Sequence, residues 1–228
     1  MRKVATVGSN CYSTPKNLKN ELQILYYNCR GLANEERLVE FERALEGIKW
    51  NIVGLTEVRR VGENLIKRKN GHYLYYFGET KGYRGTWFYI HKDIMNRVIL
   101  VKSVCERISV IKIEVQNGVN MTLIQVYAPT LASEQTECEE FYKLVEETLH
   151  EYGEYYNLVM GDWHAKVGEE RENVLVMGKY GIGDRNENGD KLVELASRNN
   201  LKIANTFFPK KFKLKWTWVS PDSKSTTS

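Results

Sequence analysis

Asn157-Leu158-Val159-Met160-Gly161-Asp162 is a short apolar run that stops abruptly at a carboxylate. The same shape recurs three times: Ile24-Leu25-Tyr26-Tyr27 runs into Asn28, Ile52-Val53-Gly54-Leu55-Thr56 into Glu57, and Thr122-Leu123-Ile124-Gln125-Val126 into Tyr127. Runs of four or five apolar and β-favouring residues fit strands covered on both faces. Strand ends that open into loops are where α/β proteins place their chemistry. Each residue alone has a plainer reading: a turn former for Asn28, a surface acid for Glu57, a strand end for Tyr127, a turn cap for Asp162. The joint pattern points to a site. Two carboxylates and an amide are hard oxygen ligands suited to Mg²⁺ or Mn²⁺, and a phenol beside them can donate to a phosphate oxygen. The chemistry suggested is metal-assisted phosphodiester hydrolysis.

Around these runs the chain alternates. Asn34 caps a helix carrying Glu35 and Glu36 in its first turn, with Leu38, Phe41, Leu45 and Ile48 at helical spacing. Strands are expected at 73–77, 86–90, 97–102, 108–115 and 121–127, with Asn117-Gly118 as a hairpin turn between the last two. Phe141, Leu144, Val145, Leu149 and Tyr152 outline a second helix, and 189–200 a third. Strands 201–205 and 215–219 close the series. This order fits a layered α/β sandwich in one domain, 21–222, between a flexible leader at 1–20 and a polar tail at 223–228.

The 228 residues suffice for one sizeable core. Hydrophobic residues make up 42% and charged residues 27%, which excludes a disordered or fibrous chain. No apolar run reaches the roughly 20 residues of a membrane helix, and no secretory signal is expected. The net charge of +4 neither requires nor repels a nucleic acid. Cys11, Cys29, Cys105 and Cys138 are scattered without zinc or disulfide spacing, so reduced thiols in a nuclear or cytoplasmic protein are expected.

Seven stretches occur in one order: NCRG (28–31), GLTEVRR (54–60), QVYAPT (125–130), GDWHAKVG (161–168), GKYGIGDRNENGDKLVELA (178–196), NTFF (205–208) and KWTWVSPD (215–222). Together they resemble the endonuclease/exonuclease/phosphatase superfamily, and more narrowly the apurinic-type endonuclease domain of RTE/BovB-type retrotransposons. The resemblance implies a DNase I-like four-layer α/β sandwich that acts on DNA with Mg²⁺ or Mn²⁺, as a monomer. It implies Glu57, Asn28 and Asp162 at the metal, Tyr127 on the scissile phosphate, and Asp162 on the attacking water. Thr217 and Trp218 would line the cleft. Independently of the resemblance, the basic Arg59 and Arg84 are candidates to contact nucleic acid through its phosphates. The stretch 178–189 is read as a surface loop.

The sequence also departs from that family. His164 stands where relatives have the asparagine of GDFNA, so it is the third candidate catalytic residue and an expected source of impairment. Trp163 and Trp87 are larger than their counterparts, and overpacking of a core costs about 1–3 kcal/mol. The family's last strand or strands, with a terminal Asp-His pair, have no counterpart before Ser228, so an unpaired sheet edge is expected. Two other functions remain open: a non-catalytic remnant that binds nucleic acid or protein, and a phosphatase on a small phosphate ester.

Overall fold

The structure, a computed structural model, describes residues 7–9, 21–32, 34–58, 60–79, 85–169, 175–209, 218–219 and 226–227. Alternation decides how these residues layer. Along strand β3 (Ile52–Thr56) every residue is buried. Val53 and Leu55 join one apolar cluster, with Leu38 and Phe41 of helix α1 (Glu35–Ala44) and its C-cap Leu45. Ile52 joins another, with Phe88, Ile90, Ile111, Leu123 and Met160. Strand β9 (Val119–Tyr127) divides the same way. Leu123 enters that middle cluster, and Ile124 and Val126 enter a third, against α2 (Gln135–Tyr152) and α3 (Glu187–Arg198). A period of two with both faces apolar requires cover on both sides. The result is helix, sheet, sheet, helix: the four-layer sandwich expected.

One sheet has the order β2 (Ile24–Asn28), β3, β6 (Thr86–Ile90), β5 (Tyr73–Gly78), β4 (Gly62–Lys67). The other runs β11 (Leu201–Ile203), β1 (Val7–Ser9), β10 (Tyr156–Asp162), β9, β8 (Ile108–Gln116), β7 (Val98–Cys105). Two parallel pairs matter for function. β2 and β3 end level, with Asn28 opposite Thr56, and β9 and β10 end level, with Tyr127 opposite Asp162. Gly54 allows the sheets to meet closely. A Cβ there would lie 2.1 Å from Gln125 Oε1.

The Asn34 cap is present, its side chain accepting from Arg37 N–H at 3.0 Å, and the 117–118 hairpin forms with Gly118 at φ +73°. Some expectations need correction. β1 lies within the stretch read as a leader. It pairs antiparallel with both β10 and β11, because backbone pairing requires no side-chain pattern. The rest of 1–20 lies outside the described residues. β4 was not expected, since a polar edge strand with one wet face carries little apolar period. Thr226–Thr227, read as tail, pairs with Trp218–Val219. Trp87 is fully buried on the α1 side, its ring 5.1 Å from that of Tyr76, while its indole N–H finds no partner among the described residues. Trp163 is accommodated against α2, at 6.1 Å from Phe141 and 6.0 Å from Tyr142. Among the described residues no helix is long and apolar enough to cross a membrane.

Candidate active site

The ends of β2, β3, β9 and β10 meet at one end of the sandwich, across the two sheets. Asn28 donates from Nδ2 to Glu57 Oε1 at 2.7 Å and to Asp162 Oδ2 at 3.3 Å. One amide thus bridges a carboxylate from each sheet. Tyr127 donates its hydroxyl to the same Glu57 oxygen at 3.3 Å. Asn28 is itself oriented by Arg30 N–H, which donates to its Oδ1 at 3.2 Å. Four of the sequence candidates therefore converge, although they come from positions 28, 57, 127 and 162.

His164 completes the group. Its backbone N–H donates to Asp162 Oδ1 at 3.2 Å, and its ring stands edge-on to Tyr127 with centroids 5.4 Å apart. Nδ1 lies 3.4 Å from the same Asp162 oxygen without forming a hydrogen bond to it. Local backbone strain gathers here. Of the non-glycine residues with positive φ among those described, Arg30 (+46°), Glu57 (+59°) and His164 (+47°) lie at the site, and only Asn200 lies elsewhere. Left-handed backbone costs of order 1–3 kcal/mol for such residues and persists where surrounding contacts over-determine it.

Electrostatically the site is acidic. Burial, followed by the charges of Glu57 and Asp162, pushes the Tyr127 phenol up to about 12. It is therefore a hydrogen-bond donor throughout the neutral range. One layer deeper, burial and then the Asp162 charge hold the Tyr26 phenol well above its ordinary value, and its hydroxyl shares a 2.8 Å hydrogen bond with Thr56 Oγ1. Among the described residues no group of three or more His, Cys, Asp or Glu could cage a metal on its own. Glu57, Asp162 and Asn28 could supply oxygen donors to an ion that takes its remaining ligands from water and phosphate, the habit of Mg²⁺.

A buried cation supports Tyr127 and carried no sequence signal. Arg107, at the β7–β8 turn, donates from Nη1 to the Tyr127 carbonyl at 3.0 Å and from Nη2 to Glu137 Oε1 at 2.6 Å. Its guanidinium sits 5.7 Å from the centre of the Tyr127 ring. Glu137, in the first turn of α2, is thus the ion-pair partner of Arg107. Arg59, Arg84 and Thr217 lie outside the described residues, and for Trp218 the structure describes only a backbone strand.

No family model matches the chain. It is 32% identical over 208 residues to craniofacial development protein 2 of Bos taurus, a match covering 90% of this chain and 34% of that protein. The corresponding protein of Tragulus javanicus is 31% identical over 208 residues, 90% of this chain and 36% of that one. The chain thus spans about a third of the length of the curated relatives it matches. Among solved structures, a 3′ phosphatase, NExo from Neisseria, bound to a product DNA hairpin, superposes with a TM-score of 0.50 at 15% identity, covering 65% of this chain and 60% of that one. By its two packed sheets, their helices and the solved-structure likeness, the chain has the DNase I-like endonuclease/exonuclease/phosphatase-type fold, and over 90% of its length it is similar to part of craniofacial development protein 2.

Proposed function

We propose that this chain is a retrotransposon-derived endonuclease domain that hydrolyses a DNA phosphodiester bond with Mg²⁺ or Mn²⁺. The observation that carries the reading is the Asn28 amide bridging Glu57 and Asp162 across the two sheets, with Tyr127 on the same Glu57 oxygen. A bound divalent ion would supply positive charge to a phosphate oxygen. Glu57, Asp162 and Asn28 would hold it. Tyr127, protonated throughout the neutral range, donates to an equatorial phosphate oxygen and stabilises the charge that develops there. Asp162 orients the attacking water. Arg107 keeps the end of β9, and with it the phenol, in place. The scattered cysteines fit a nuclear or cytoplasmic setting.

His164 lowers the activity. A neutral imidazole donates from one nitrogen only and is shaped unlike the amide of the resembled family. The test is nicking of supercoiled plasmid in Mg²⁺. Wild type nicks slowly, Glu57→Gln is slower by about 100-fold or more, and His164→Asn is faster than wild type. Nicking that survives Glu57→Gln refutes the assignment. The edge-on packing of His164 against Tyr127 favours a second reading, a fold that binds nucleic acid without cutting it. That reading requires plasmid retention with no nicking in Mg²⁺ or Mn²⁺.

A further inference from the structure

The loop that follows Asp162, residues 163–168, has no regular secondary structure, and its backbone polar groups need partners. Those partners come from the N-cap and first turn of α3, the end of the Gly-rich stretch that the sequence suggested was a surface loop. Asn186 Oδ1 accepts from Lys166 N–H at 2.9 Å, and Asn186 N–H donates back to the Lys166 carbonyl at 3.0 Å. The same Oδ1 caps α3 through Gly189 N–H at 2.8 Å. The side-chain amides of Asn186 and Asn188 both point at the His164 carbonyl, each at 3.4 Å. Asn188, 2% exposed, also donates to the Pro129 carbonyl at 3.1 Å, two residues beyond Tyr127. Its own carbonyl accepts from the Tyr142 hydroxyl of α2 at 3.0 Å.

Gly189 permits this closeness, since a Cβ there would lie 1.9 Å from the Lys166 carbonyl oxygen. Meanwhile Trp163, Ala165 and Val167 pack into the helix-side core, so alternate positions of the loop are anchored by apolar contact. Between them, His164 is held in a left-handed conformation that its own sequence does not favour, with its N–H on Asp162.

We infer that Asn186 and Asn188 are positioning residues of the active site, clamping the loop after β9 and the loop after β10 into one unit so that Asp162 and Tyr127 keep their mutual placement. Neither touches a reacting group. They act through the His164, Lys166 and Pro129 backbone. The inference rests on the nuclease reading only for its kinetic consequence, and its structural consequence can be read without activity.

The experiment compares the full chain with Asn188→Ala, the milder Asn188→Ser, and Thr148→Val as a control. Thr148 is also buried but lies on α2, donating to the Leu144 carbonyl within its own helix. Plasmid nicking and amide hydrogen exchange are measured on each. Asn188→Ala or Asn188→Ser lowers kcat by tenfold or more with KM changed less than threefold, whereas Thr148→Val at matched thermal stability leaves kcat intact. In the same Asn188 variants the amides of His164 and Lys166 exchange at least tenfold faster than in wild type, while those of α2 do not. If Asn188→Ala does not fold, Asn188→Ser carries both readouts. Unchanged exchange at His164 and Lys166 overturns the clamp, as does an equal loss of kcat in the Thr148 control. A wild type that nicks nothing would refute the nuclease reading and leave the clamp to be decided by exchange alone.

Discussion

Gly161→Ala places one methyl group against the backbone of the parallel neighbour strand, where Gly161 pairs with Val126. Gly161 has φ +146°, a conformation that L side chains rarely adopt, and a Cβ would lie 1.9 Å from the Val126 carbonyl oxygen and 2.8 Å from its carbon. Both are backbone atoms of the paired strand, so no side-chain rotation relieves the clash. Restoring normal contact requires β9 and β10 to part by about 1 Å or more. Strained φ costs of order 1–3 kcal/mol and overpacking about as much again. At roughly 2–4 °C per kcal/mol for a domain of this size, the thermal midpoint should fall by about 10 °C. The damage is directional, because the next residue is Asp162, whose 3.3 Å hydrogen bond to Asn28 has little slack. Differential scanning fluorimetry and plasmid nicking are the assays, with Gly118→Ala as control. Gly118 also has positive φ, +73°, but a Cβ there meets nothing within 4 Å. The control should lose a few degrees and no nicking. A Gly161→Ala protein as stable and as active as Gly118→Ala would refute the close-approach argument.

Two further outcomes follow from side chains away from the proposed metal ligands. His72 accepts Lys92 N–H at 3.2 Å, and its ring lies 4.4 Å from that of His91, with Lys92, Asp93 and Glu42 as the other charges facing it. Burial, then His91, lowers its pKa below the ordinary value. The unfolded chain therefore takes up the proton first as pH falls. Stability is complete above the ordinary histidine value of about 6.5 and declines as pH drops from there toward the lowered folded value. Urea midpoints between pH 7 and 5 should fall less steeply for His72→Gln, and an equal slope would refute the assignment. Arg107→Met should leave the Tyr127 carbonyl and Glu137 without that partner and reduce nicking by tenfold or more, whereas Glu137→Gln should cost less, since Arg107 keeps its hydrogen bond to the carbonyl. Equal effects would mean that Arg107 acts through α2 rather than through Tyr127.

Much of this was legible in the sequence, for reasons of range. Strands β3, β6, β8 and β9 announce themselves because a period of two and β-branched or aromatic residues are local properties, and burial on both faces leaves the run apolar. The Asn34 cap and the Asn117-Gly118 turn are local for the same reason: the side chain or glycine acts within three residues of itself. The four polar strand ends were visible as punctuation, an apolar run broken by Asn28, Glu57, Tyr127 or Asp162. What the chain could not display is pairing at long range. β1 and β4 carry no pattern because ladder pairing uses backbone groups that every residue has. Arg107 looked like any charged turn residue until folding set it beside the Tyr127 carbonyl. The NENG stretch read as the end of a glycine-rich loop, and only the approach of α3 to the end of β10 turned its amides into a clamp. Residue types and strand ends were determined by the sequence alone. That one Asn28 amide reaches acids 29 and 134 positions away was decided by the packing of two sheets, because a hydrogen bond acts over about 3 Å of space whatever the separation along the chain.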